Sequence, residues 1–174
     1  DGDPALAAEV VDAAGFRKFM AGDVDLKYYK EGMTTSVMVM QERSTKVLLM
    51  AVNGKIDASS AGDLPTQVLS GHLPVLLAED PQEIMVIGYA SGITVGAAAQ
   101  HAVKKVTAVE IEPAILEASR YFDDFNHRPL EDEKVEVIRN DGRNFLLVSP
   151  KQYDVIISEP SNPWMAGTAA LFSR

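Results

Sequence analysis

The sequence contains no cysteine, which excludes disulfide bonds, thiolate zinc sites and cysteine nucleophiles. Its three histidines are spread too widely along the chain to form a local metal motif, so we expect no bound metal. Lys and Arg number only 16 against 25 Asp and Glu and form no basic run, so we expect no nucleic-acid surface. No apolar stretch approaches the ~20 residues needed to cross a bilayer. These absences predict a cytoplasmic protein without a membrane segment.

Hydrophobic residues make up 47% of the 174 residues, enough to bury the core of one good-sized domain with a small appendage. The chain begins at Asp1 rather than Met and ends shortly after the apolar Leu171 and Phe172, which we interpret as the cut ends of a longer protein. We expect a small N-terminal unit over residues 1–60 and a larger domain over residues 61–174.

The N-terminal unit is predicted to combine one helix with a β-hairpin. Apolar residues at three-to-four spacing over 5–20 are typical of a short amphipathic helix. Two β-type runs, 34–41 and 46–53, flank a polar four-residue loop, which predicts a hairpin. Asn53 and Gly54 then form a turn into a third extended run over 55–59.

The larger domain alternates strand-like and helix-like segments. An apolar run over 84–88 ends in a turn of small residues, and further strands are predicted over 106–110, 135–139 and 153–158. Helices are predicted over 64–78, 93–101 and 113–121, with a short helical turn after Asp141. This alternation predicts an α/β, Rossmann-like, doubly wound parallel sheet with its ligand at the carboxyl ends of the strands.

The small-residue turn after the first core strand favours a nucleoside without a phosphate. A G-x-G-x-x-G dinucleotide fingerprint would need glycine where this chain has Ala90 and Ile93. The looser G-x-G-x-G of S-adenosylmethionine-type sites keeps Gly88 and Gly92 and departs only at Ala90. A tight turn that binds no ligand is the alternative reading of the motif.

Two acidic residues strengthen the nucleoside reading. Glu110 ends the second core strand about 20 residues after the glycine turn, the offset at which a carboxylate reaches ribose hydroxyls. Asp141 and Gly142 follow the third strand, where Asp141 would accept from an adenine amino group or simply form an Asx turn. Glu112 precedes Pro113 and is interpreted as a structural residue at the start of a helix.

Five short pieces of the sequence are individually weak signals but occur in a recognisable order: Asn53-Gly54-Lys55-Ile56-Asp57, Gly71-His72-Leu73-Pro74, Val109-Glu110-Ile111-Glu112, Asp141-Gly142-Arg143 and Ser158-Glu159-Pro160-Ser161-Asn162-Pro163. With these pieces the chain resembles, from residue 28 to residue 174, the spermidine synthase (aminopropyltransferase) family. Its bacterial branch, in which the domain is often fused to membrane transporter-like helices, is the most similar.

The resemblance implies transfer of an aminopropyl group from decarboxylated S-adenosylmethionine to a diamine such as putrescine, in a homodimer and without a metal. Glu159 then stands at the position of the base. The predicted cofactor-binding residues are Gly88, Ala90, Ser91, Gly92, Glu110, Asp141, Gly142 and Asp57. The predicted substrate-binding residues are Asn162, Trp164 and His72; bracing a helix end is the alternative role of His72, and anchoring the loop that of Trp164.

Four departures from the family pattern leave other functions open. Glu159 and Asn162 replace aspartates, Ser91 replaces an acidic residue, and Asp57 replaces a glutamine. Because a serine would not repel the carboxylate of intact S-adenosylmethionine, a methyltransferase is one alternative. A non-catalytic nucleoside-binding module is the other.

Overall fold

The computed structural model describes residue 22 and residues 24–33 and 35–158. The predicted helix over 5–20 lies outside these residues. The strands are β1 (Val24–Glu31), β2 (Ser36–Glu42), β3 (Leu48–Val52), β4 (Lys55–Ser59), β5 (Glu83–Ile87), β6 (Lys105–Glu110), β7 (Val135–Arg139) and β8 (Val155–Ser158). The α-helices are α1 (Leu64–Leu77), α2 (Ile93–Ala99), α3 (Pro113–Ser119), α4 (Asp123–Asn126) and α5 (Gly142–Val148).

The strands form two sheets. The first is antiparallel with the order β1-β2-β3-β4, and it contains the predicted hairpin as β2 and β3. Each hairpin strand has a further neighbour, because β1 pairs with β2 and β4 pairs with β3. β1 was not predicted, because five of its eight side chains are exposed and its pattern lacks an apolar run.

The second sheet is parallel throughout, with the order β7-β6-β5-β8. β5 and β6 lie in its centre, and the fully buried Ile84, Met85, Val106 and Ala108 explain why these strands read as continuous apolar runs. The order reverses at β5, which pairs with β6 on one side and with β8 on the other. Such a switch point opens a crevice at the carboxyl ends of the strands.

Prolines and acidic caps set the helix starts. α1 and α3 each carry a proline in the first turn, where a backbone N–H would have no acceptor within the helix, so proline costs no hydrogen bond there. Glu112 caps α3 by accepting the N–H of Ala114, which agrees with its structural reading. α1 and α2 pack closely at Gly71, where a Cβ would lie 2.5 Å from the carbonyl oxygen of Thr94.

The two sheets share one apolar core. A single cluster joins Val37 and Met50 of the antiparallel sheet to Ile84 and Val106 of the parallel sheet, across the predicted division at residue 60. Polar contacts add to it: Glu117 of α3 accepts from the Tyr28 hydroxyl at 2.9 Å and pairs with Lys30 at 2.6 Å. The antiparallel sheet therefore packs directly against α3, the helix that follows β6.

Candidate nucleoside site

The turn between β5 and α2 is held in left-handed backbone conformations. Gly88 and Gly92 have φ angles of 85° and 79°, which glycine adopts without a steric penalty. Ala90 has a φ of 45°, a conformation that costs an L-residue about 1–2 kcal/mol. The exposed backbone at Gly88, where a Cβ would meet nothing within 4 Å, leaves room for a ligand to approach closely.

Glu110 lies at the end of β6 with its carboxylate beside this turn. One oxygen accepts the N–H of Tyr89 at 2.9 Å, and the other accepts the N–H of Glu112 at 2.9 Å. A carboxylate oxygen has two lone pairs, so each oxygen can still accept a ligand hydroxyl. Burial raises the pKa of the Glu110 carboxyl above its usual value, and the backbone donors act in the opposite direction.

Asp141 and Gly142 reach the same end of the sheet. The backbone N–H of Asn140 donates to the carbonyl of Glu110 at 3.1 Å, and Gly142 packs on Ile87, where a Cβ would lie 2.6 Å from Cγ2. Asp141 itself caps α5 by accepting the N–H of Asn144 at 2.7 Å, as its turn reading predicts. The contact of its second carboxylate oxygen with an adenine amino group stays a prediction.

Ser91 is buried and its hydroxyl points toward α1. The hydroxyl donates to Oε1 of Gln67 and accepts the N–H of Ile93 at 3.3 Å. The Gln67 amide in turn donates to the Ser59 carbonyl at 3.1 Å and to the Asp63 carboxylate at 2.9 Å. Sequence reasoning did not select Gln67 as a site residue, although a glutamine in line with the buried Gly71 and Val75 on one helix face is a usable signal.

The structure does not bring His72 to the turn. Its Nδ1 lies 2.8 Å from Nε2 of His101, which follows the C-terminal end of α2, whereas the turn precedes the N-terminal end of that helix. This pairing agrees with the bracing role. Asp57 lies on β4 and forms an ion pair with Lys55 at 2.5 Å, and its predicted contact with the nucleoside stays a prediction.

The last described strand leads toward the predicted base. Ser158, at the end of β8, pairs in register with Ile87, directly before the glycine turn. Glu159 is the next residue in the sequence. Glu159, Asn162 and Trp164 themselves lie outside the described residues.

The described part of the chain contains neither a cluster of potential metal ligands nor a helix that could cross a membrane. No three His, Asp or Glu side chains among residues 24–33 and 35–158 are grouped so that they could hold a metal ion. Within the same residues, no helix has both the length and the apolar character that a membrane crossing requires.

Comparison with known proteins assigns the family. The model of the spermine/spermidine synthase domain matches residues 66–174, which include the glycine turn, Glu110 and Asp141. The chain belongs to this family. The resemblance seen in the sequence is thereby confirmed, while the remark on fusion to membrane helices stays a prediction.

Curated relatives of this spermine/spermidine synthase domain carry the name polyamine aminopropyltransferase. That of Archaeoglobus fulgidus is 28% identical over 155 residues, which are 89% of this chain and 56% of the relative. That of Erwinia tasmaniensis is 24% identical over 162 residues, which are 92% and 56% of the two chains. The chain thus spans about half the length of the curated relatives it matches.

Solved structures agree on the fold. A spermidine synthase in complex with the transition state analogue AdoDATO aligns with a TM-score of 0.77 at 19% identity, over 85% of this chain and 50% of that one. The spermidine synthase from Thermotoga maritima aligns with a TM-score of 0.70 at 19% identity, over 76% and 47%. The predicted Rossmann-like α/β fold of a spermine/spermidine synthase domain is confirmed.

Proposed function

We propose that the chain transfers an aminopropyl group from decarboxylated S-adenosylmethionine to a diamine such as putrescine. The observation that carries this proposal is the buried Glu110 carboxylate at the switch point, oriented by two backbone N–H groups beside an open glycine turn. The family match and the names of the relatives support the same reaction. A structural neighbour holds a transition state analogue of it.

The nucleoside half of the donor suits the ends of β5, β6 and β7. The remaining lone pairs of Glu110 accept the two ribose hydroxyls, and the backbone at Gly88 allows the close approach of the sulfonium group. Asp141 and Gly142 border the adenine. The ligand has no phosphate here, so a helix N-terminus need not supply a charge.

The transfer itself is a direct displacement. The diamine nitrogen attacks the aminopropyl carbon next to the sulfonium, a C–N bond forms, the C–S bond breaks, and methylthioadenosine leaves as a neutral thioether. An alkylammonium has a pKa near ~10, so the attacking amine must lose a proton to a base held close to it. Glu159, directly after β8, is proposed as that base, with Asn162 and Trp164 as the proposed substrate contacts.

Calorimetric titration with two donors tests the proposal. The Ser91 hydroxyl is already engaged by Gln67, and neither side chain carries a positive charge that could pair with the carboxylate of intact S-adenosylmethionine. We expect decarboxylated S-adenosylmethionine to bind more tightly than the intact form, and putrescine to yield methylthioadenosine and spermidine by mass spectrometry. Tighter binding of the intact form with a methylated product would instead support methyl transfer, and binding of neither would support a non-catalytic module.

Replacing Glu159 by Gln should separate chemistry from binding. The amide keeps the shape of the side chain but cannot accept the proton, so turnover should fall by at least ~100-fold. The affinity for methylthioadenosine should stay within about twofold of the wild-type value. Glu79→Gln, at an exposed position after α1, is the matched control. A fully active Glu159→Gln variant would remove Glu159 as the base.

We further propose a cytoplasmic homodimer. β1 and β4 are the outer strands of the antiparallel sheet, and Leu26 and Tyr29 of β1 have exposed side chains. An open strand edge with apolar side chains is a surface that a second copy can cover. Sedimentation velocity of the purified chain measures whether this copy is bound.

A further inference from the structure

The glycine turn is clamped from two sides at Ser91. Gln67 of α1 accepts from the Ser91 hydroxyl on one side. On the other side, the Asn126 amide donates to the Ser91 carbonyl at 2.9 Å. Ser91 and Asn126 are each 1% exposed, so water cannot replace these bonds. Both clamps therefore act on the residue between Ala90 and Gly92, the two left-handed residues at the end of the turn.

Asn126 uses every hydrogen-bonding group of its side chain. Its second amide hydrogen donates to the Ser119 carbonyl at 3.2 Å, at the end of α3, and its oxygen accepts the N–H of Arg128 at 2.9 Å. Its own backbone carbonyl is pressed against α2, where a Cβ on Gly96 would lie only 1.8 Å away. Asn126 thus links the turn to α2 and α3, and its side chain has no freedom to move away.

We infer that Asn126 is a positioning residue for nucleoside binding, acting through Ser91 to hold the turn in the conformation that admits the ligand. Without this clamp, the buried Ser91 carbonyl loses an N–H donor that the surroundings cannot replace. The turn then relieves the unfavourable conformation of Ala90 by rotating its peptide groups. Because the Gly88 backbone is open in the left-handed form, the apparent affinity falls with the population of that form.

The inference rests on the proposed function, because it takes the ligand to be a nucleoside at this turn. Two readouts separate the two ideas. Affinity for 5′-methylthioadenosine, measured well below the melting temperature, tests positioning and function together. Hydrogen–deuterium exchange of residues 89–93 in the ligand-free chain tests the clamp alone.

The variant Asn126→Ala should weaken methylthioadenosine binding about tenfold and speed exchange at residues 89–93 about tenfold, with β7 unchanged. Val103→Ala is the matched control, because Val103 is a buried core residue beyond the far end of α2. It should lower the melting temperature while leaving affinity and local exchange at wild-type values. Should Asn126→Ala fail to fold, Asn126→Asp keeps the shape and the acceptor for Arg128 and removes the amide that donates to Ser91 and Ser119.

Wild-type affinity and wild-type exchange in a folded Asn126 variant would overturn the inference and reduce Asn126 to a structural role. If the wild-type chain does not bind methylthioadenosine, the proposed function is refuted. If exchange at residues 89–93 is nevertheless faster in the Asn126 variant, the effect of Asn126 on the conformation of the turn is still supported. Equal loss of affinity in Asn126→Ala and Val103→Ala would also overturn the inference, because general destabilisation would then explain both.

Discussion

Glu110 is the proposed acceptor of both ribose hydroxyls. Its two oxygens are each held by a backbone N–H, so the side chain is oriented before any ligand arrives. A pre-oriented acceptor loses little conformational entropy on binding, which increases the affinity that two hydroxyl donors can provide. Burial, which raises the pKa of this carboxyl, makes the same group sensitive to pH.

Replacing Glu110 by Gln should weaken methylthioadenosine binding by more than ~1 kcal/mol, because an amide offers the hydroxyls one uncharged acceptor instead of two charged ones. In the wild type, affinity should fall as the pH is lowered toward the raised pKa of Glu110, since protonation removes the charge. Calorimetry across a pH series measures both effects. Glu133→Gln, at an exposed position before β7, should leave both the affinity and its pH dependence unchanged; an unchanged affinity in Glu110→Gln would discard the ribose assignment.

At the level of elements, α1 and the C-terminal end of α2 are joined by the histidine pair. His72 and His101 lie with Nδ1 and Nε2 2.8 Å apart, and the Lys134 amine donates to the carbonyls of Ala99 and His101 close by. Such a bond needs one unprotonated nitrogen as acceptor. Burial, followed by the charges of His72 and Lys134, lowers the pKa of His101.

The lowered pKa of His101 determines whether the free energy of unfolding rises or falls with pH. Between its folded and unfolded pKa values, His101 binds fewer protons in the folded state, so the free energy of unfolding rises with pH. Stability should be complete above about pH 6.5 and should decline as the pH falls below that value. His101→Gln should reduce this decline, which is the difference between the free energies of unfolding measured with urea at pH 7.5 and at pH 5.5. His127→Asn, at an exposed histidine outside the pair, should retain it; an equal slope in both variants would assign the effect elsewhere.

The sequence predicts the parallel sheet well because its signals are local. Buried apolar runs mark β5 and β6, Pro113 marks the start of α3, and the acidic residue at the end of β6 follows from spacing alone. The missed parts depend on tertiary contacts. β1 has a largely polar pattern, α4 is only four residues long, and the roles of Gln67 and Asn126 arise from partners 24 and 35 residues away in the chain.

On the scale of the whole molecule, the segment that follows β1 of the antiparallel sheet contacts Glu112, which in turn donates a hydrogen bond to Glu110. Gly32, after β1, packs so closely on Glu112 that a Cβ would lie 2.3 Å from the carboxylate. The backbone N–H of Glu112 is one of the two donors that orient Glu110. The N-terminal unit therefore supports the predicted ribose acceptor from outside the parallel sheet.

Gly32→Ala should destabilise the fold by about 1–3 kcal/mol, since the added methyl group displaces a fully buried capping carboxylate. It should also weaken methylthioadenosine binding, because a shift of Glu112 moves one of the donors to Glu110. Gly62→Ala is the matched control: its Cβ meets only the Ser59 hydroxyl at 3.9 Å. Chemical denaturation and calorimetry measure the two effects; wild-type behaviour of Gly32→Ala in both would show that the antiparallel sheet does not influence the site.

The order of the parallel sheet has a consequence for how the molecule assembles during synthesis. β5, β6 and β7 pair in the order in which they leave the ribosome, whereas β8 returns to β5, where Val155 becomes the partner of Ile84. Closing that long loop is the step of highest contact order in the parallel sheet, and such steps are slow. We therefore expect the pairing that carries the chain toward Glu159 to form last among the strand pairs of the parallel sheet.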